Sequence, residues 1–496
     1  MNLRKEDILL VLPPSRFKDR RYSLSLLCIS SYLRANGFEN IIVERGLFKK
    51  ETWEFDHALI NHLMVEKIKE LRPKIIGFTA STQEFDEVVN LNQELKKNLS
   101  FLSLIGGPHA TTSPAEFLNN GFDIAVMGEG EETTLELVFC AKNKFEQQEK
   151  DKNFDVCKDF LKDLKNIRGI VYKNLEGEII ANQRREFIDI SDLPIPAYDK
   201  IDMESYIGMS DRIIRGVIVR GASIMTSRGC PYSCTFCDCN KVFGHGVRYR
   251  GLDNIRQELK LLKENYDVEG IWLADDTFTL NKEHILGVGS IMKEFNLIWG
   301  CQARVNLVDD DLVRVMKRDG CVQFDFGVES GSQRILDEIM NKKTNLDQIR
   351  RAFAICRRHR VRTLANFMMG LPTETKEEME QTMKLAREIK ADVYMLTIFT
   401  PLPGTELFDR YFKEEITTGD YKEMKLFAGV ERFNKSKVRS LKELNDRWRK
   451  DLTKEMKKRY LDNPWAYLEI FFKLKHKKER LLFIWYKIKR LMGAVK

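Results

Sequence analysis

The apolar run Ser223-Ile-Met-Thr226 leads into Cys230-Pro-Tyr-Ser-Cys234-Thr-Phe-Cys237, three thiols in a C-x3-C-x2-C array. On a loop leaving a strand, such an array suits an iron–sulfur cube, since these clusters are held by cysteine thiolates, normally four. Three thiolates would hold three irons and leave the fourth iron open to a small ligand. Cys239, two residues on, is read as lying outside the ligand set. Zinc is the competing reading, but structural zinc sites favour paired C-x2-C halves and four closed ligands. The chain has no second C-x2-C.

Downstream of the cysteines, strand-length apolar runs alternate with helical patterns. Strands are expected at Gly270–Ala274, Ile298–Ala303, Val322–Phe326, Thr363–Met369 and Val393–Phe399. Helices are expected at Asn254–Asn265, Lys282–Phe295, Asp310–Arg318, Asn345–Arg358 and Lys376–Ile389. With the strand before Cys230 this makes six βα units over residues 223–415. Reactive groups on barrels of this kind belong at the C-terminal strand ends. Those ends carry Asp275-Asp276, Arg304, Glu329-Ser330, Gly370 and Gly404. An arginine such as Arg304 can grip a carboxylate as a bidentate fork. Cys301 and Cys321 sit in apolar strand runs, where an unpaired cysteine packs as a small hydrophobe.

Upstream, over residues 1–150, the same alternation predicts a doubly wound parallel sheet. Its strands are Ile8–Leu12, Ile41–Val43, Lys74–Phe78, Phe101–Ile105 and Asp123–Met127, with helices at Leu24–Ala35, Phe55–Leu71 and Glu84–Lys97. Ligands bind such sheets at the carboxyl ends of the strands. The first strand is followed by Pro13-Pro14-Ser15 and the third by Thr79, Ser81 and Thr82. The fourth is followed by Gly106-Gly107-Pro-His109-Ala-Thr111, and the fifth by Gly128-Glu129-Gly130-Glu131. Small residues at those places let the backbone approach a ligand closely.

The cysteine triplet with Phe236 before Cys237, preceded in the chain by the Gly106–Thr111 and Gly128–Glu131 stretches, resembles the class B radical S-adenosylmethionine (radical SAM) enzymes. These carry a cobalamin-binding domain ahead of a partial (β/α)6 barrel. The resemblance implies a [4Fe–4S] cluster on Cys230, Cys234 and Cys237, with the amino acid end of SAM on the open iron. It implies SAM contacts from Asp275, Arg304, Glu329 and Gly370. Cobalamin contacts would come from Thr79, Ser81, Thr82, Gly106, Gly107, His109, Gly128, Glu129, Gly130 and Glu131. The Asp-x-His-x-x-Gly pattern that supplies a lower axial histidine is absent, so the cobalt would have no histidine below it. The implied activity is reductive cleavage of SAM to a 5′-deoxyadenosyl radical and methylation of an unactivated substrate carbon. Alternatives are oxidative cyclisation or ring rearrangement with the same cofactors, or a binding protein with a degenerate cobalamin domain. Cys28, Cys140 and Cys157 lack cluster spacing, which argues against a methylthiotransferase. A small-molecule or lipid-like substrate and an electron donor such as flavodoxin or ferredoxin complete the implied set.

Residues 151–222 read as a connector with a β-hairpin, Ile167–Lys173 against Ile179–Asn182, and a Pro-rich joint at Asp192–Tyr198. The chain of 496 residues carries 43% hydrophobic and 31% charged residues, ten cysteines and a net charge of +8. No apolar run reaches the ~18 residues of a membrane span, no signal-peptide pattern opens the sequence, and the cysteines do not space as a disulfide framework. A cytoplasmic location is therefore expected. The region 416–496 is helical, with Leu444, Trp448, Leu452 and Met456 on one stripe, then aromatics interleaved with lysines and arginines after Asn463-Pro464. Two readings of this tail stay open: a helical cap on the barrel, or an interfacial anchor that brings the protein to the inner membrane surface. No nucleic acid partner is expected, since no RNA-binding module is visible.

Overall fold

The computed structural model describes residues 3–14, 22–48, 57–150, 160, 162–424, 434–438, 441–462 and 464–491. Ser15, Phe55, Cys157 and Asn463 lie outside the described residues, as do the side chains of Trp465 and Phe483. The chain divides into two compact units. The first comprises Met1–Tyr206, Cys237–Gly246 and Leu402–Met424; the second comprises Ile207–Phe236, Val247–Pro401 and Lys425–Lys496.

The first unit is built on seven strands: β1 (Ile8–Val11), β2 (Ile41–Val43), β3 (Ile75–Thr79), β4 (Leu102–Gly106), β5 (Ile124–Val126), β6 (Ile170–Lys173) and β7 (Ile179–Ala181). They lie in the order β2-β1-β3-β4-β5-β6-β7. The first five are parallel, with Leu9 opposite both Ile41 and Ile76, in the flavodoxin-like 2-1-3-4-5 order. All four residues of β1 are buried, as befits a strand covered on both faces. Ile8, Ile75, Leu104 and Ile124 meet Leu137, Val138 and Ala141 of the helix Glu131–Lys150 in one core. The hairpin expected in the connector forms as β6 and β7. It does not stand apart: β6 pairs antiparallel with β5, Ile124 opposite Tyr172, and extends the sheet. Leu402–Met424, which the sequence reading divides between barrel and tail, packs in this unit because Tyr421 sits edge-on to Phe85 and His109.

The second unit carries β8 (Gly221–Ile224), the short pair β9 (Ser227–Arg228) and β10 (Arg248–Tyr249), then β11 (Gly270–Leu273), β12 (Ile298–Ala303), β13 (Cys321–Glu329), β14 (Arg362–Met369) and β15 (Val393–Ile398). Six of them form a parallel sheet in the order β15-β14-β13-β12-β11-β8. Each strand lies beside the next in sequence, and β8 and β15 remain edges, the open partial barrel expected from six βα units. The helices begin where their caps are. Asn281, Asp309, Asn345 and Thr375 each accept a backbone N–H of the first turn, satisfying a donor the helix itself leaves unpaired. Asn345, expected inside its helix, is that helix's cap.

Three helices follow the barrel. Leu441–Asp462 packs on β15 and buries Leu441, Trp448 and Leu452. Pro464–Lys473 and Lys477–Leu491 reach the N-terminal strand ends, where Ile470 and Leu474 join Ile214, Val217, Val219, Ile298 and Val322. Arg480 forms an ion pair with Glu269 at 2.9 Å, each side chain 3% exposed, and donates to the carbonyl of Ile218 at 2.8 Å. This face of the tail is the cap of the first reading. No described helix is long and apolar enough to cross a membrane.

Removing one member of a buried pair strands the other charge, at a cost of about 3–5 kcal/mol. Arg480→Met is therefore expected to lower the urea midpoint of barrel unfolding, and Glu269→Gln in the same chain to restore part of the loss. An unchanged midpoint in the single variant would show that the tail does not cap the barrel in solution.

Candidate active site

The sequence places the cysteines directly after β8, and the geometry there is set by Asp275, just beyond β11. Asp275 is fully enclosed and accepts hydrogen bonds from Thr226 N (2.7 Å), Thr226 Oγ1 (2.6 Å) and Ser227 Oγ (2.5 Å). Burial pushes its carboxyl up to about 6 against the pull of those donors. His284 Nε2 lies 2.9 Å from Thr226 Oγ1, and burial lowers its ring to about 4. The imidazole is thus neutral at pH 7. With the Thr226 hydroxyl proton given to Asp275, His284 is the Nε2–H donor to that hydroxyl. The side chain expected to meet SAM instead fixes the turn that launches the cysteine loop. Its neighbour Asp276 is half-buried and accepts from Gly229 N at 3.2 Å; Gly229 turns there at φ +97.

Cys230 and Cys234 are half-buried. Cys230 Sγ lies 3.7 Å from Thr277 Oγ1. Arg304 stacks on the Tyr232 ring at 3.6 Å and points Nη1 at Cys234 Sγ, 3.8 Å away. A cation beside the sulfur suits an anionic ligand. The rest of the loop is clamped by residues 339–342, which follow a π-helical turn at Ile335–Ile339. Thr235 N donates to Met340 O (3.1 Å), Thr235 Oγ1 to Ile339 O (2.5 Å) and Asn341 Nδ2 to Ser233 O (2.9 Å). Arg304 also donates to the carbonyl of Lys342.

Lys342 is the residue that sequence reasoning missed. Its ammonium lies 2.9 Å from Glu329 Oε1, with the two side chains 8% and 11% exposed. Glu329 ends β13 after a register shift, at φ +67, a bulge of the kind that re-aims a side chain beside a site. Gly327 makes the room: a Cβ there would stand 2.4 Å from Glu329 Oε1 and 2.7 Å from Lys342 Nζ. Arg304, Cys234 and Glu329 are thus brought together through one lysine. A lysine in a polar stretch between two helices carries no sequence signal of that role.

Gly370 occupies a turn of its own at φ +80. Gly370 N and Leu371 N donate to Glu374 Oε2 at 2.7 and 3.1 Å. A Cβ on Gly370 would strike Leu441 of the helix after the barrel, at 2.7 Å. Burial pushes Glu374 from 4.5 up to about 8, outweighing the two amides. Cys237 is exposed, and Cys239 opens the helix Cys239–Phe243. Among the described residues no group of three or more His, Cys, Asp or Glu converges at metal-binding range. The fit to a cluster therefore rests on donor type and on the cation beside Cys234, not on converged sulfurs.

In the first unit, the strand-end loops are tied to one another. Thr82 Oγ1 meets His109 Nδ1 at 3.1 Å, and Thr111 Oγ1 accepts from Gly128 N at 2.9 Å. Gly107, at φ +98, lets its loop lie on Thr79 and Ala80: a Cβ would sit 2.8 Å from Thr79 Oγ1 and Ala80 O. Gly130 lies as close to Ile29, where a Cβ would be 2.8 Å from Cδ1. Ser81 caps the turn after β3 with Glu84. Glu129 Oε2 accepts from Ile188 N at 3.2 Å. A shallow pocket opens on Gly128, Glu129 and Glu131, with Arg184 and Phe187 in its wall. His109 is fully buried among Phe85, Phe117 and Tyr421, where its ring braces the loop.

Lys342→Met leaves Glu329 as an unpaired buried charge, a cost of about 3–5 kcal/mol. The variant is expected to lose thermal stability and to retain less iron on reconstitution, and Glu329→Gln added to it should restore stability in part. Glu374 predicts a pH dependence. The folded chain keeps a proton there that the unfolded chain loses above about 4.5, so stability falls as pH rises from about 4.5 to about 8. In Glu374→Gln the drop in melting temperature from pH 5 to pH 8 should be smaller than in the parent, measured in matched buffers.

Comparison with known proteins fits this geometry. Residues 224–386 match the Radical SAM superfamily and residues 17–138 the B12 binding domain. The chain is 32% identical over 414 residues to an uncharacterized methyltransferase of Pyrococcus horikoshii, covering 81% of this chain and 82% of that one. It is 28% identical over 393 residues to the anaerobic magnesium-protoporphyrin IX monomethyl ester cyclase of Rubrivivax gelatinosus, covering 77% and 64%. Its fold is similar to that of the radical S-adenosylmethionine methyltransferase TsrM of Kitasatospora setae, solved with cobalamin and a [4Fe-4S] cluster, at TM-score 0.65 and 16% identity over 82% and 78% of the chains. The chain belongs to the radical SAM enzymes that carry a cobalamin-binding domain, and its cofactors are a [4Fe–4S] cluster, S-adenosylmethionine and cobalamin.

Proposed function

We propose that this radical SAM enzyme methylates an unactivated carbon of a small-molecule or lipid-like substrate. When bound, the cluster with SAM supplies a carbon-radical initiator and cobalamin a methyl donor. The chain's own residues supply orientation and exclusion of water. Cys230, Cys234 and Cys237 are the proposed cluster ligands. Arg304, stacked on Tyr232 beside Cys234, is the proposed partner for the SAM carboxylate and the observation that carries the reading. A guanidinium fixed in its plane 3.8 Å from a ligand sulfur presents its remaining donors where an amino acid would chelate the open iron. Glu329 acts with Lys342 already beside it, so its proposed role toward SAM is shared with that lysine. Asp275 and His109 are proposed as positioning residues, holding the cysteine loop and the Gly106–Thr111 loop. Thr79, Ser81, Thr82, Gly106, Gly107 and Gly128–Glu131 are proposed to face cobalamin. A reduced flavodoxin or ferredoxin is the proposed electron source.

Similarity to the cyclase favours one second reading, ring closure with the same cofactors and no methyl transfer. The products separate the two. Methyl transfer yields methylated substrate with S-adenosylhomocysteine; ring closure yields neither. For the cluster assignment, Cys234→Ala should abolish both the reconstituted iron–sulfur absorbance and 5′-deoxyadenosine formation, while Cys239→Ala keeps both. Loss of the absorbance in Cys239→Ala would overturn the ligand set. Anaerobic protein offered hydroxocobalamin should retain corrin with a spectrum lacking histidine coordination, and a bulky residue at Gly107 should weaken that retention.

A further inference from the structure

The two last helices of the second unit, Pro464–Lys473 and Lys477–Leu491, have unlike faces. One face is docked, through Ile470 and Leu474 in an apolar cluster and Arg480 in its pair with Glu269. The other carries Leu468, Phe472, Leu481, Leu482 and Trp485, which are 39 to 66% exposed. At 3.6 residues per turn, Lys478, Leu481, Leu482 and Trp485 share one side of their helix, roughly opposite Arg480. Because Arg480 is pinned to the barrel, the helix cannot roll to bury that side. Large apolar side chains exposed together on consecutive helices, with a polar rim, are the kind of feature that marks an interaction surface.

The rim identifies what the surface meets. Lys473, Lys475, Lys477 and Lys478 are exposed around it, and Lys477 lies over the Phe472 ring at 5.7 Å. Glu469 is neutralised by Lys317 and Lys473, each at 3.2 Å, which leaves Lys475, Lys477 and Lys478 against one exposed acid of these helices, Glu479, with His476 3.9 Å from it. A face of aromatics and leucines fringed with lysine is suited to the plane where lipid headgroups meet acyl chains, and its charge complements an anionic leaflet.

We propose that this face is a docking surface for an anionic phospholipid bilayer. Phe472, Leu481, Leu482 and Trp485 enter the interface, and the lysines meet the headgroups. The helices cap the N-terminal strand ends of β8 and β11–β13, the end of the barrel opposite Cys230, Arg304 and Glu329. Docking therefore holds the barrel by its back and leaves the cysteine end clear. The two readings of the tail are not alternatives: one face caps, and the other binds membrane.

The test is co-sedimentation of the full-length protein with phosphatidylglycerol vesicles and with phosphatidylcholine vesicles. Binding to the anionic vesicles is expected, and it should weaken roughly tenfold or more between about 50 and 500 mM salt. Leu481→Glu with Leu482→Glu should reduce it by a similar factor, with the melting temperature unchanged because both side chains are more than half exposed on the side of the helix opposite Arg480. Absence of binding to phosphatidylglycerol, or equal binding to both vesicle types, overturns the proposal. So does sedimentation velocity in which the parent is a dimer and the double variant a monomer, since a second copy would then be the occupant.

Discussion

Lys342 and Glu329 form an ion pair largely removed from water, and the cysteine loop depends on where that pair lies. An isolated buried charge is costly, and a pair is tolerated only when its geometry is good and its remaining polar atoms are served. Here the bulge at the end of β13 aims Glu329, Gly327 clears the space, and the turn after Ile335–Ile339 delivers the lysine. The same turn presents the carbonyls of Ile339, Met340 and Lys342 to Thr235 and Arg304. The pair thus sets the height at which Cys234 is held.

On the other side of the loop, Asp275 plays the matching part. A carboxylate with no exposure and three donors from Thr226 and Ser227 is a structural bolt rather than a ligand-facing acid. Its own neighbours Asp276 and Thr277 stand closer to the loop, at Gly229 and Cys230. The first unit uses the same device with side-chain hydrogen bonds between its loops. Thr82 with His109, and Thr111 with Gly128, lace three strand-end loops together. Loops pre-set in this way lose less entropy when a ligand arrives.

With the proposed docking, one amphipathic segment of the tail would hold two roles. Ile470, Leu474 and Arg480 are buried against the barrel, whereas Phe472, Leu482 and Trp485 are more than half exposed. Large apolar side chains held in water by a fixed helix are retained at a cost in solubility. The proposed docking would account for that cost.

Much was legible in the sequence because local rules govern it. Hydrophobic runs of strand length, alternating with amphipathic stretches, located both parallel sheets, and the helices expected from Asp310 and Lys376 begin at those residues, where the structure shows Asp309 and Thr375 as their caps. The cysteine triplet and the glycine-rich turns were visible because spacing and small size are properties of the chain itself. What only the tertiary structure decided were relations between distant residues. The hairpin at 170–181 joined the first sheet because β5 offered an open edge. Asp275 turned inward because Thr226 and Ser227 lay within reach of it, forty-nine and forty-eight positions away. Lys342 gained its role from Glu329, thirteen positions earlier and across a bulge. Burial and pairing depend on which surfaces meet, and a one-dimensional pattern records the surfaces but not their meeting.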